Sequence, residues 1–304
     1  MNVVISFQKI GSGSYEMASL KIAKFVASMT SAQIVDDMNS AVGVLSSGKQ
    51  IKTLFVVSGM WQFCKTRDLF VEVCKKAFSD GARMFFCSNE YTNPVPSPIK
   101  NVFSSGFTTL SNERINKPGW LNINWNAITF TIKQECWIGK PISPNTLLYY
   151  GAHRENRAGD FDTYLNGNIF QTVISTSKMN ESKFKKHGSV CFDDCKSVEI
   201  LCKKYGFTVY MTDKRNHKSV YVCPANRFYE CLSFGLLQFI DRKAMLSFSR
   251  GFEGVDLSPF VVESIGDILK KKPFFESLRD LQVKTLATKN YKTELIGDFL
   301  NAVR

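Results

Sequence analysis

The strongest constraint on this chain is a rhythm: apolar runs of strand length alternate with segments of helical period, and the alternation occurs twice. Residues 2–10 form a β-branched and aromatic run, followed by Gly11-Ser12-Gly13-Ser14 and then Met17, Leu20, Phe25 and Met29 at helical spacing. A strand, a small-residue turn and a helix open a βαβ unit. Residues 33–35, 51–58 and 83–88 read as further strands, and residues 68–78 as a helix stopped by Asp80-Gly81. Residues 93–119, punctuated by Pro94, Pro96, Pro98, Gly106 and Pro118, read as loop or irregular edge.

A second Pro cluster, Lys140-Pro141-Ile142-Ser143-Pro144, marks the expected domain boundary, after which the alternation restarts. Strands are expected at 146–150, 170–175, 189–192, 208–211 and 236–240, and helices at 160–165, 180–186, 197–205 and 226–234, with a largely helical remainder. Alternation of this kind specifies parallel sheets flanked by helices, an α/β class. The expected domains are 1–140 and 141–283, with 284–304 a C-terminal helix.

Length and composition support this division. At 304 residues, 44% hydrophobic and with only 9 Pro, the chain has ample core for two domains and little room for long disorder. Residues 1–141 carry 15 basic and 9 acidic side chains and residues 142–304 carry 24 and 18, so the net charge of +12 is spread evenly. An even excess argues against a basic tail and for a basic face that meets a polyanion. The nine Cys include no C-x-x-C pair and the three His form no ligand pair with them, so no metal site is expected and free thiols in a cytoplasmic protein are. No window approaches eighteen apolar residues, so no membrane span is expected.

Two segments have the chemistry of an anion site. In Cys223-Pro224-Ala225-Asn226-Arg227-Phe228-Tyr229-Glu230, Asn226 is suited to cap a helix, Arg227 lies in its first turn and Glu230 follows on the same face. A helix N-terminus beside a guanidinium suits a diphosphate, and a carboxylate one turn on suits ribose hydroxyls. An ordinary capped helix with a surface Arg227–Glu230 pair is the alternative. In Tyr149-Tyr150-Gly151-Ala152-His153-Arg154-Glu155-Asn156-Arg157, a buried strand delivers two Arg three apart to its carboxyl end, where they could clamp a diphosphate or form a basic turn paired to Glu155 and Asp160. His153 reads as a local packing or bonding residue.

The run Asn226-Arg227-Phe228-Tyr229-Glu230-Cys231-Leu232-Ser233-Phe234-Gly235-Leu236-Leu237-Gln238-Phe239-Ile240-Asp241 resembles the donor-binding helix of GT-B fold glycosyltransferases. The Y-x-G-x-x-R-x-x-R pattern from Tyr149 to Arg157 is similar to phage-type transferases of that fold. The resemblance implies two Rossmann-like domains facing across a cleft, with the last helix crossing back to the first domain. It implies a nucleotide-sugar donor, UDP-linked, held mainly by the second domain, an acceptor facing the first, and no metal or other cofactor. Glu230 would bond the donor ribose, and Gly11, Ser12 and Gly13 would line the donor side. Retaining members often carry a second Glu eight positions before this one; here that position is Val222.

Inversion at an anomeric carbon needs a base for the acceptor hydroxyl. Glu90, just past a buried strand, is the first candidate and Asp37, with its neighbour Asp36, the runner-up, with a solvated or helix-capping role as the alternative for each. Tyr91, Trp120 and Trp125 are candidates for an acceptor groove, with a place in the core as the alternative for aromatics in such numbers. The expected activity is hexosyl or pentosyl transfer by a monomer. Even basic charge in this family resembles bacteriophage enzymes that glycosylate hydroxymethylated bases in double-stranded DNA, in the host cytoplasm. A transferase acting on lipopolysaccharide or another cell-surface glycan, and a non-catalytic nucleic-acid-binding protein with the same shell, are the alternatives.

Overall fold

The computed structural model describes residues 1–7, 18–57, 67–88, 106–112, 118–130, 142–165, 168–195, 197–212, 224–248, 252, 254–288 and 291–304. The chain forms two compact units, Met1–Thr129 with Leu295–Arg304, and Phe130–Glu294. The first contains β1 (Asn2–Ile5), α1 (Ala18–Thr30), β2 (Gln33–Val35), α2 (Met38–Ser46), β3 (Thr53–Val57), α3 (Arg67–Ser79), β4 (Arg83–Ser88), β5 (Phe107–Ser111), β6 (Trp120–Asn122) and α4 (Trp125–Ile128). The second contains β7 (Thr146–Tyr150), α5 (Ala158–Tyr164), β8 (Gln171–Ser175), α6 (Lys178–Phe184), β9 (Val190–Phe192), α7 (Val198–Lys204), β10 (Phe207–Tyr210), α8 (Asn226–Ser233), β11 (Leu237–Asp241), β12 (Val261–Val262), α9 (Ile265–Lys271) and α10 (Phe275–Thr288). A last helix, α11 (Tyr291–Val303), ends the chain.

Each unit is built on a parallel sheet, in the order β2-β1-β3-β4-β5-β6 in the first and β12-β11-β10-β7-β8-β9 in the second. Residue parity explains why both faces are covered. Val3, Ile5, Leu54, Val56, Met84 and Phe86 face α2 and α3, while the intervening Val4, Phe55, Val57, Phe85 and Cys87 pack with α1 and α4. A strand buried on both faces has to be apolar throughout, which is how these runs read in sequence. Phe299 of α11 joins the second of these clusters, 5.6 Å from Trp125 and 5.4 Å from Phe25 between ring centres, so the chain's end packs into the first unit. In the second unit Leu147, Tyr149, Phe207, Val209, Leu237 and Phe239 share a cluster with α5, α6, α9 and α10, and Leu148 packs with α7 and α8 on the other face.

Five elements were not expected from the sequence: β5, β6, α2, α4 and β12. Residues 107–111, expected as loop, form β5 along β4, because Leu110 and Ser111 are fully buried there. Helix α2 was hidden by weak helix formers, Asn39, Ser40 and Gly43. It is secured by a capping box in which the Asp37 carboxylate accepts from the Ser40 amide at 2.9 Å, and by burial of Ala41 and Val44. The two-residue β12 interrupts the helical tail.

Candidate functional site

In the second unit the chain starts at β7, moves outward through β8 and β9, and returns to place β10 on the other side of β7. The carboxyl ends of β7 and β10 are therefore a topological switch point, the place where open α/β sheets take ligands. Arg227, in the first turn of α8, spans that point. Its Nη1 donates to the Tyr150 carbonyl at 3.2 Å and its Nη2 to the Met211 carbonyl at 2.9 Å, one at the end of each strand. The guanidinium lies 4.9 Å from the Tyr149 ring centre and 5.6 Å from that of Tyr210. Backbone carbonyls and aromatic faces hold the cation in place without cancelling its charge.

Arg157 joins it. Its Nη1 approaches the Tyr149 hydroxyl at 3.4 Å, and its Nε is buried without a partner among the described residues. Burial, and then the like charge of Arg227, pull its pKa below the ordinary arginine value. Because an arginine stays protonated, the guanidinium sits as a buried cation beside a like charge. Neither arginine is ion-paired among the described residues, and Asp160, the partner considered for the turn, pairs with Lys243 at 3.1 Å. Arg154 is exposed at the start of the same turn.

The backbone accommodates this arrangement at Gly151, which has φ +139°. A Cβ there would lie 3.2 Å from Arg227 Nη1 and 3.6 Å from the Tyr149 hydroxyl, in a conformation that side chains rarely adopt.

The helix start differs from expectation. Ala225 occupies the cap position, with no side-chain cap, and its amide donates to the Tyr210 hydroxyl at 2.8 Å. Asn226 is the first helical residue, and its Oδ1 is buried with no hydrogen-bond partner among the described residues. An N-cap side chain turns back onto its own helix; here that position is alanine, leaving the amide end of α8 without one. Glu230, one turn on, is buried at 5% exposure. Helix α8 is fixed from behind by Gln238, whose side chain donates to the Phe228 carbonyl at 2.8 Å.

The other candidates divide. Trp125, expected in an acceptor groove, is a core residue with no exposed surface, its indole N–H donating to the Leu110 carbonyl at 3.0 Å. Its ring packs against Phe25 and Phe299, at 6.5 and 5.6 Å between centres. Trp120 is half-buried on the edge strand β6. Asp37 is held as the cap of α2, with Ser40 donating to it from both backbone and side chain at 2.9 Å. Gly11, Ser12, Gly13, Glu90 and Tyr91 lie outside the described residues. Tyr149 stands in the sequence only as the first residue of the Y-x-G-x-x-R-x-x-R pattern, and its inward parity with Leu147 is the local signal for its contact with the arginines; Tyr210 carries no such signal.

Two units of this kind, each a parallel sheet wound on both faces, with the last helix returning to the first, constitute the GT-B fold. Solved structures that share it over the whole chain include T4 phage BGT in complex with UDP and Mn2+, at TM-score 0.68 and 13% identity over 100% of this chain and 99% of that one. They also include the DNA-modifying enzyme beta-glucosyltransferase in the presence and absence of uridine diphosphoglucose, at TM-score 0.71 and 13% identity over the same shares. At that identity the likeness is one of fold. No protein-family model matches the chain and no curated protein matches it in sequence.

Proposed function

We propose that the protein is a glycosyltransferase that moves a sugar from a nucleotide-diphosphate sugar, UDP-linked, to a hydroxyl on a hydroxymethylated base in double-stranded phage DNA. The observation that carries the first half is the arginine pair at the β7–β10 switch point, Arg227 fixed by carbonyls and ring faces and Arg157 against the Tyr149 hydroxyl, neither matched by a carboxylate among the described residues. Such a pair stabilises a departing diphosphate as charge develops on it. The acceptor oxygen forms a bond to the anomeric carbon, the bond from that carbon to the diphosphate oxygen breaks, and Glu90 takes the acceptor proton. Arg227 and Arg157, with Arg154 at the rim, receive the diphosphate beside the α8 amides, and Glu230 receives the ribose. The arginines supply the charge that a metal supplies elsewhere, so turnover is expected to persist in a chelator.

The acceptor half is supported by the even +12 charge and by the fold shared with a DNA-modifying enzyme. We assign acceptor recognition to the first unit, with Trp120 and Tyr91 as candidate contacts, and the active form to a monomer in the host cytoplasm. No helix among the described residues is long and apolar enough to cross a membrane. The test is thermal stabilisation by a panel of nucleotide sugars with and without hydroxymethylcytosine duplex. Stabilisation by a UDP-sugar, lost in Arg227→Ala, supports the reading; no response to any nucleotide sugar refutes it. Transfer to a glycan in place of the duplex would select the cell-surface alternative, and duplex binding without nucleotide-sugar turnover the non-catalytic one.

A further inference from the structure

Beneath the turn that carries Arg154 and Arg157 lies a chain of three titratable groups that the donor reading does not use. His153 Nε2 and His187 Nε2 are 3.0 Å apart, and His187 Nδ1 is 2.6 Å from Asp162 Oδ1. The two imidazoles stack at 5.2 Å, with side chains only 3% and 8% exposed. His153 belongs to the turn, His187 follows α6, and Asp162 lies on α5, so three separate elements meet here.

The hydrogen bonds fix the protons. A carboxylate only accepts, so His187 Nδ1 carries a hydrogen and donates to Asp162. Two ring nitrogens at 3.0 Å share one proton, donated from one side and accepted on the other. The pair therefore closes with two ring protons, or with three when His153 Nδ1 is also protonated. A fourth places two N–H groups against each other and opens the contact. The charged groups facing the pair are Glu155 and Asp162, which favour extra protons, and Lys183 and Lys186, which oppose them. Burial, ahead of these charges, holds His153 below the ordinary histidine value of 6.5.

The contact also has a route to the arginines. The His153 ring packs on Phe161 and Phe184 at 5.1 and 5.0 Å, and Tyr149 packs on the same two rings at 5.3 and 5.4 Å. Tyr149 in turn meets Arg157 through its hydroxyl and Arg227 through its ring face. A shift of His153 is thus passed through packed rings to the anion site, because close-packed side chains transmit displacement.

Resting on the donor-site reading above, we infer that the His153–His187 contact, braced by Asp162, is a positioning device that sets the Arg154–Arg157 turn for diphosphate binding and releases it on acidification. His153 and His187 are positioning residues here and do not touch the ligand.

The test is calorimetric affinity for UDP-glucose, whose diphosphate diester does not itself titrate, between roughly pH 8 and pH 5. The wild-type protein is expected to lose about tenfold in affinity on acidification, the value of one charge-assisted bond. His187→Phe, which keeps the ring and removes the hydrogen bonds, is expected to bind weakly at both ends. His187→Gln, whose amide can donate or accept, is expected to bind tightly at both ends and keeps the proposal testable if the Phe variant does not fold. Asp162→Asn removes a facing anion and so moves the loss to lower pH. A flat wild-type profile, or a His187→Gln profile identical to a titrating wild type, overturns the inference while leaving the donor site intact. Absence of binding by the wild type, or full binding by Arg227→Ala, overturns the donor-site reading and the inference with it.

Discussion

Replacing Arg227 by alanine separates the two jobs this side chain does. Toward the ligand, it removes one of the guanidiniums proposed to receive the diphosphate. A charge-assisted hydrogen bond contributes about 1.5–3 kcal/mol, so affinity for a UDP-sugar should fall by roughly ten- to a hundredfold. Toward the fold, it uncovers the carbonyls of Tyr150 and Met211, now satisfied at 3.2 and 2.9 Å, and removes two ring contacts. Unsatisfied buried carbonyls cost about 1–3 kcal/mol each, offset in part by relief of the repulsion on Arg157, for a net loss of about 1–3 kcal/mol. Arg227→Lys is the informative companion, since a compact ammonium keeps the charge but does not bridge two carbonyls on different strands. It should retain stability better than alanine and recover only part of the affinity. Isothermal calorimetry with UDP-glucose, alongside thermal denaturation, reads both quantities. Wild-type affinity in a folded Arg227→Ala protein would refute the assignment of the switch point as the donor site.

Other expectations follow from single contacts. Gly151→Ala should weaken UDP-glucose binding in calorimetry and cost about 1–2 kcal/mol, because its φ of +139° disfavours a side chain and the new methyl meets Arg227 Nη1 at 3.2 Å. Gly206→Ala should be more damaging to the second unit in a denaturant melt, since its Cβ would fall 1.9 Å from the Ser143 carbonyl oxygen and 2.7 Å from Ile142; overpacking of this kind costs about 1–3 kcal/mol or more. Phe299→Ala should cost about 3–5 kcal/mol by emptying the pocket against Trp125 and Phe25, detected as increased amide exchange in α11. Asp193, held down to about 2 by hydrogen bonds from Lys204, Tyr205 and the Cys195 amide, has a folded-state value below its ordinary 3.8. Its contribution is present above pH about 4 and disappears as pH falls toward about 2, so an acid melt of Asp193→Asn should lack that portion of the pH dependence.

How far these features can be read from the chain depends on how local their causes are. The central strands β1, β3 and β4 of the first sheet and β7, β10 and β11 of the second are largely apolar runs because parallel strands are covered on both faces, and a run such as Thr53–Val57 is visible without knowing its neighbours. Strand β5 was not visible because only its last residues are buried and its partner β4 supplies the reason for its conformation. Arg227 and Arg157 were legible as chemistry, but the switch point that joins them depends on β10 returning beside β7, which no local pattern states. The expected Asn226 cap failed by one residue, since Asn and Ala adjoin and only backbone angles distinguish the cap from the first turn. For Trp125 the sequence left an acceptor groove and a core position open, and the structure takes the core one. Its burial comes from Phe25 and Phe299, a hundred or more residues away in either direction.

Sugar transfer from a nucleotide diphosphate held at the β7–β10 switch point is the proposed activity, and it can be measured directly. The direct measurement is incorporation of label from sugar-labelled UDP-glucose into a duplex containing hydroxymethylcytosine, with an unmodified duplex and Arg227→Ala protein alongside. Label is expected in the hydroxymethylated duplex, with equimolar release of UDP, no label in the unmodified duplex and strongly reduced transfer by the variant. Absence of UDP release with this and every other hydroxyl acceptor, from a folded wild-type protein, would contradict it.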